Sequence, residues 1–189
     1  MRLFVGLEIP RPIRQAMHER TARLRDSLPQ ASWVAAADYH LLLAFLGDTS
    51  EPAMGSVRAA LSAAFGSHEG FDVQLAGAGA SPPMRPARVL WIGVEDKTGL
   101  ERLHRIVWES LNRVVDIEAD WKPFHAHSTV ARCPPKAWTR RCVEVWCRSC
   151  SGRVGDSFPV RRGALFSCES GNGDPRYQVI ETYPMRGFH

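Results

Sequence analysis

Val5-Gly6-Leu7-Glu8 reads against Ile92-Gly93-Val94-Glu95, and the interval between the two stretches, 87 residues, recurs along the chain. Thirty-four residues after each glycine stands a histidine, His40 after Gly6 and His127 after Gly93. The same offset sets Ile13 on Leu100, Leu24 on Leu111, Leu43 on Val130 and Ala44 on Ala131, and lays Phe71-Asp72-Val73 on Phe158-Pro159-Val160. A tryptophan precedes each histidine, Trp33 by seven residues and Trp121 by six. Short apolar matches mean little alone, because strands favour those residues. Several at one constant offset indicate a duplicated unit. A duplicated α/β unit is expected to fold as two lobes about a pseudo-twofold axis, with the two imidazoles facing each other as a pair suited to acid and base work.

Residues 131–189 carry ten of the 24 Lys and Arg but only five of the 20 Asp and Glu, so the net charge of +4 resides in the C-terminal third. Most of the basic residues are Arg, whose planar fork suits phosphate and can stack on bases. The charge and the Arg content are compatible with phosphate or RNA as a partner. The composition, 44% hydrophobic and 23% charged, is that of a globular protein of 189 residues with one compact core. No apolar run approaches the length that spans a bilayer. The opening Met1-Arg2-Leu3-Phe4-Val5-Gly6-Leu7-Glu8 is too soon acidic for a signal peptide, so a cytoplasmic protein is expected. The cysteine number, five, is odd and without secretory context, which favours reduced thiols. Cys142, Cys147 and Cys150 cluster, but zinc needs a fourth ligand and normally a second paired motif, so no metal is expected.

Along the chain, Arg2 to Leu7 reads as a strand, and Pro10 and Pro12 open a helix to about Leu28. A strand from His40 to Leu46 ends at Gly47-Asp48, and a helix runs from about Glu51 to Phe65. Phe71 to Leu75 alternates as a half-buried strand, and the Gly/Pro-rich residues 77–88 read as the link between halves. The second copy begins at Val89 and continues through a capping box at Thr98-Gly99-Leu100-Glu101, a helix with Leu100, Leu103, Val107 and Leu111 on one side, and a strand from His125 to Ala131. Residues 136–150 are helical in part. Phe158 to Phe166 and Tyr177 to Tyr183 form a hairpin around Gly171-Asn172-Gly173-Asp174 that closes the second lobe. The order implies an α+β fold: one bilobal domain over 1–189, with repeats of about 1–80 and 88–170 and two mostly antiparallel sheets lining a central cleft with helices outside.

His127 and Thr129 stand two apart on a strand and project from one face, joining a proton-transfer group to a hydroxyl that can donate to an oxyanion. In the first copy the equivalent pair is His40 and Leu42, with no hydroxyl. His125 shares the face of His127 by spacing and is taken as peripheral; Phe45 is taken as core, and Arg140, Arg141, Arg161 and Arg162 as solvated surface.

This pattern resembles the 2H phosphoesterase superfamily, and within it the bacterial LigT-like RNA 2′,3′-cyclic phosphodiesterases, or 2′-5′ RNA ligases. The resemblance is carried by Arg2-Leu3-Phe4-Val5, by Leu41-Leu42-Leu43-Ala44-Phe45-Leu46-Gly47 after His40, by Arg88-Val89-Leu90-Trp91-Ile92-Gly93, and by the stretch from Pro123 to Arg132 that holds His127-Ser128-Thr129. It implies hydrolysis of RNA or nucleotide 2′,3′-cyclic phosphate ends to 2′-phosphates, with neither cofactor nor metal. His40 would act as general acid, His127 as general base, and Thr129 would bind a non-bridging phosphate oxygen. Arg132 would contact phosphate or the terminal base. The departure is Leu42, where the family has threonine. The alternative is an RNA-end-binding protein with little turnover. A self-paired duplication favours a monomer, with RNA or a small cyclic nucleotide as partner and no membrane.

Overall fold

The computed structural model describes every residue except 27, 30, 83–87, 118–122, 133–139, 170–175 and 189, and of residues 23 and 140 the backbone alone. The described strands are β1 Arg2–Glu8, β2 Ser32–Trp33, β3 His40–Asp48, β4 Phe71–Ser81, β5 Val89–Val94, β6 His127–Arg132, β7 Arg153–Val160, β8 Arg162–Glu169 and β9 Arg176–Pro184. The helices are α1 Arg11–Arg25, α2 Met54–Ser67, α3 Thr98–Asn112 and α4 Arg140–Ser149. Two antiparallel sheets result, of order β3-β1-β8-β9 and β2-β6-β5-β4-β7. Helices α2 and α3 pack on each other and back the first sheet at β9 and β3, while α1 and α4 back the second at β7 and β4. The α+β, two-sheet architecture expected from the sequence is the one observed. No helix among the described residues is long and apolar enough to cross a membrane.

The pseudo-twofold axis can be located by residue. In the β4–β7 ladder Phe71 pairs with Val160, Asp72 with Pro159 and Val73 with Phe158. Asp72 and Pro159 are mates at the 87-residue offset. A residue opposite its own repeat mate in an antiparallel pair lies on a twofold axis. The offset also holds farther out: Phe4 pairs with Phe166, and their mates Trp91 and Gly79 pair in the other sheet.

The sheets do not coincide with the sequence halves, because each accepts strands from the other half. Strand β4 lies beside β5, and β8 lies beside β1. This corrects the expectation that the C-terminal hairpin closes the second lobe. After Val160 the chain needs only Arg161 to cross the axis, so β8 and β9 complete the sheet of β1 and β3. The proposed turn at 171–174 lies outside the described residues. Residues 77–81 are likewise strand rather than link. Their small side chains leave room for Trp91, since a Cβ on Gly79 would lie 2.2 Å from the indole. Helix α1 ends at Arg25 rather than Leu28, and the capping box at Thr98 is replaced by Asp96, whose Oδ1 accepts from the Thr98 N–H at 2.9 Å.

The helix stripe Leu100, Leu103, Val107 and Leu111 is buried as its spacing requires. On α4, Trp146 is fully buried and its Nε1–H donates to the Gly79 carbonyl at 2.9 Å. Cys150 is also buried, and burial pushes its thiol up to about 11. Cys142 and Cys147 on α4 are half-buried against the core, and Cys150 follows just after the helix. Among the described residues no group of His, Cys, Asp or Glu is placed to hold a metal ion.

Candidate active site

Strands β3 and β6 carry the two histidines to one cleft of about 350 Å³, lined by His40, Leu42 and Phe45 from one side and His127, Thr129 and Arg132 from the other. The two triplets are mates at the 87-residue offset. Each strand has a bulge at the same place: Leu43 is skipped in the pairing of β3 with β1, and its mate Val130 is skipped in the pairing of β6 with β5. The extra residue shifts the alternation by one. The cleft therefore receives the first, third and sixth residues of each strand, and the second, fourth and fifth go to the core. Phe45, expected in the core, is 46% exposed in the cleft with the Arg2 guanidinium 5.1 Å from its ring centre.

Both imidazoles are oriented in the same way. Nδ1 of His40 lies 2.7 Å from the carbonyl oxygen of Asp38, and Nδ1 of His127 lies 2.5 Å from that of His125. A carbonyl only accepts, so each Nδ1 carries the proton and each neutral ring keeps its Nε2 lone pair for the cleft. Asp38 and His125 are themselves offset mates. The exposed imidazole of His125 packs against Trp91, so its backbone rather than its side chain serves His127.

Their surroundings differ. His40 is enclosed by the rings of Phe4 at 4.8 Å, Tyr177 at 4.9 Å and Phe166 at 5.8 Å. Phe4 and Phe166 stack nearly parallel at 4.7 Å and form a small apolar cluster separate from the main core. Burial lowers the His40 pKa to about 4; the Asp38 carbonyl opposes this, and the charges of Arg132 and His127 add to the depression. His127 is also lowered by burial, against the His125 carbonyl. Arg132 donates to the Tyr177 hydroxyl at 3.2 Å, and burial keeps that phenol above its ordinary pKa. Tyr177 thus remains protonated at neutral pH and can both donate and accept.

Arg162 pairs with Glu8 and Arg161 lies over Phe188, so neither lines the cleft; Arg141 is exposed, and the Arg140 side chain is not described. Trp33 is half-buried on β2, whereas Trp121 falls outside the described residues. Sequence reasoning passed over Arg2, Phe4, Cys168 and Tyr177, all of which line the cleft. Arg2 and Phe4 stand in the opening strand with the alternation of a cleft face. Tyr177 had no signal, because it arrives on a strand far from either histidine in sequence.

The His40 environment makes a solution prediction. In the ligand-free protein its ring titrates near 4, and a bound phosphate anion raises that value, because the anion favours imidazolium. Histidine 15N chemical shifts followed against pH, without and with inorganic phosphate, check this; a His40 pKa near the ordinary 6.5 without ligand would contradict the burial argument. Because the folded pKa lies below the unfolded one, the His40 contribution to stability is complete above 6.5 and declines as pH falls towards 4.

Residues 9–162 match the family model described as the 2′-5′ RNA ligase superfamily. Among curated relatives, an RNA 2′,3′-cyclic phosphodiesterase of Thermus thermophilus is 31% identical over 202 residues, covering 100% of this chain and 92% of its own. One of the same name from Geobacillus stearothermophilus is 32% identical over 97% of this chain, which spans only 57% of that relative's length. The crystal structure of TT0787, a Thermus thermophilus protein, superposes over the whole of both chains with a TM-score of 0.83 and 28% identity. With more than half its length matched by the family model, the chain belongs to the 2′-5′ RNA ligase superfamily.

Proposed function

We propose that the protein hydrolyses RNA or nucleotide 2′,3′-cyclic phosphate ends to 2′-phosphates, with His40 and His127 as a paired acid and base and no metal. The observation that carries the reading is the matched pair of imidazoles, each held at Nδ1 by the carbonyl two residues upstream and both lining one cleft. The name shared by the curated relatives supports the same reaction class.

The five-membered cyclic ester is strained, so a positioned acid and base suffice for its opening. Nε2 of His127 takes a proton from water, the water oxygen bonds to phosphorus, and the P–O3′ bond breaks. Nε2 of His40 gives its proton to the departing O3′, leaving the phosphate on O2′. His40 acquires that proton with the substrate, since the phosphate anion offsets the burial and the Arg132 charge that hold it near 4 in the resting enzyme. The Thr129 hydroxyl, the Arg132 guanidinium and the Tyr177 hydroxyl are the donors available to the non-bridging oxygens.

Leu42 favours a second reading, a protein that holds such RNA ends with little turnover, because an exposed apolar side chain occupies the position equivalent to Thr129. The deciding experiment is incubation of an RNA oligomer ending in 2′,3′-cyclic phosphate in EDTA. The expected result is undiminished conversion to a 2′-phosphate end. Conversion that EDTA abolishes would refute the metal-free mechanism, and binding without conversion would favour the second reading.

A further inference from the structure

In the second sheet Trp91 is the cross-strand partner of both Thr129 and Gly79, so its side chain rises from the cleft face one strand farther from the first lobe. It lies outside the residues that line the main cleft, yet its ring centre is 5.7 Å from that of His127. One face of the indole rests on Gly79, where a Cβ would meet three of its carbons at 2.2–2.8 Å.

The twofold comparison shows what is missing. In the first lobe the mates of Trp91 and Gly79 are Phe4 and Phe166, which stack on each other at 4.7 Å. In the second lobe one ring of that stack is replaced by a glycine. Trp91 instead meets the exposed imidazole of His125 at 4.5 Å with a tilt of 56°, so the two rings form an open corner beside the catalytic histidine. Lys97 lies near enough for its charge to act on His125. The acidic neighbours are engaged: Glu95 is held by Arg153 through both carboxylate oxygens, and Asp96 accepts from the Thr98 N–H.

An aromatic corner with a cation at its edge, continuous with a phosphate-binding cleft, matches single-stranded RNA, whose bases stack on rings whatever their identity. We propose that Trp91 and His125 form a stacking platform for the base adjoining the cyclic-phosphate nucleotide, with Lys97 against the phosphate that links the two. This rests on the cleft holding the terminal phosphate as set out above. It adds a preference for RNA strands over mononucleotides, since a mononucleotide has no second base to place there.

Binding, measured apart from turnover, tests the platform. A fluorescein-labelled RNA trinucleotide ending in 2′-phosphate is displaced by the unlabelled trinucleotide or by a nucleoside 2′-phosphate, and anisotropy is followed. The wild type is expected to bind the trinucleotide roughly tenfold more tightly than the mononucleotide. Trp91→Ala should erase that difference while mononucleotide affinity stays within about twofold, and Trp91→Phe should keep most of it. Lys97→Ala, outside the core, should weaken trinucleotide binding alone and reduce its salt dependence. Equal losses on both ligands in Trp91→Ala would overturn the platform and make Trp91 a support for His127. Equal wild-type affinities for the two ligands would also overturn it while leaving the cyclic-phosphate reading intact. Failure of the wild type to bind either ligand would instead bring down the cyclic-phosphate reading and the platform with it.

Discussion

Replacement of either His40 or His127 by alanine is expected to lower kcat on a 2′,3′-cyclic phosphate by about 10²–10⁴, the range for loss of one positioned proton-transfer group. Each imidazole presents a free Nε2 to the cleft, and no other histidine among the described residues lines it. Water can replace neither, since it is a weak base and a weak acid at neutral pH. The two losses should not add. Once one partner is gone, the other cannot complete the transfer, so the double variant should resemble the slower single variant. KM should change little in His127→Ala, because Thr129, Arg132 and Tyr177 remain to hold the phosphate. Rates from product chromatography, with circular dichroism to check folding, decide the matter. A variant that loses less than about tenfold in kcat would remove that histidine from the chemistry.

The duplication was legible because the offset is rigid: the same spacing relates the strands, the bulges, the histidines and the carbonyls that hold them. The cleft-facing placement of His40, His127 and Thr129 followed from simple alternation. Phe45 did not, since alternation from His40 sends the fifth residue after it to the core, and only the bulge at Leu43 turns it outward. A bulge leaves no mark in a run of apolar residues such as Leu41-Leu42-Leu43-Ala44-Phe45. The exchange of strands between lobes was also hidden, because periodicity identifies a strand and not its neighbour. That exchange places Phe166 and Tyr177 around His40 and so contributes the burial that depresses its pKa. Local pattern thus reached the two cleft histidines, while their electrostatic setting depended on long-range topology.

The hydroxyl asymmetry between the lobes has a kinetic consequence. Thr129→Val removes the hydroxyl while keeping the branched shape, and should lower kcat by about 10²–10³, as loss of an oxyanion donor does elsewhere. Leu42→Thr should act in the opposite direction, raising kcat about tenfold, less than the Thr129 loss. The position is ready to accept the change: Leu42 is 40% exposed, faces the cleft, and occupies the same place before the bulge as Thr129. The gain is smaller because Tyr177, buried enough to keep its proton and braced by Arg132, already supplies a hydroxyl on the His40 side. Tyr177→Phe should therefore lower kcat in the wild type and lower it less in Leu42→Thr. That coupling separates compensation by Tyr177 from a merely structural role, since a packing defect would cost both backgrounds equally. Steady-state rates for the four proteins on one cyclic nucleotide provide the test. An unchanged kcat in Leu42→Thr would mean that this side of the phosphate needs no hydroxyl from β3.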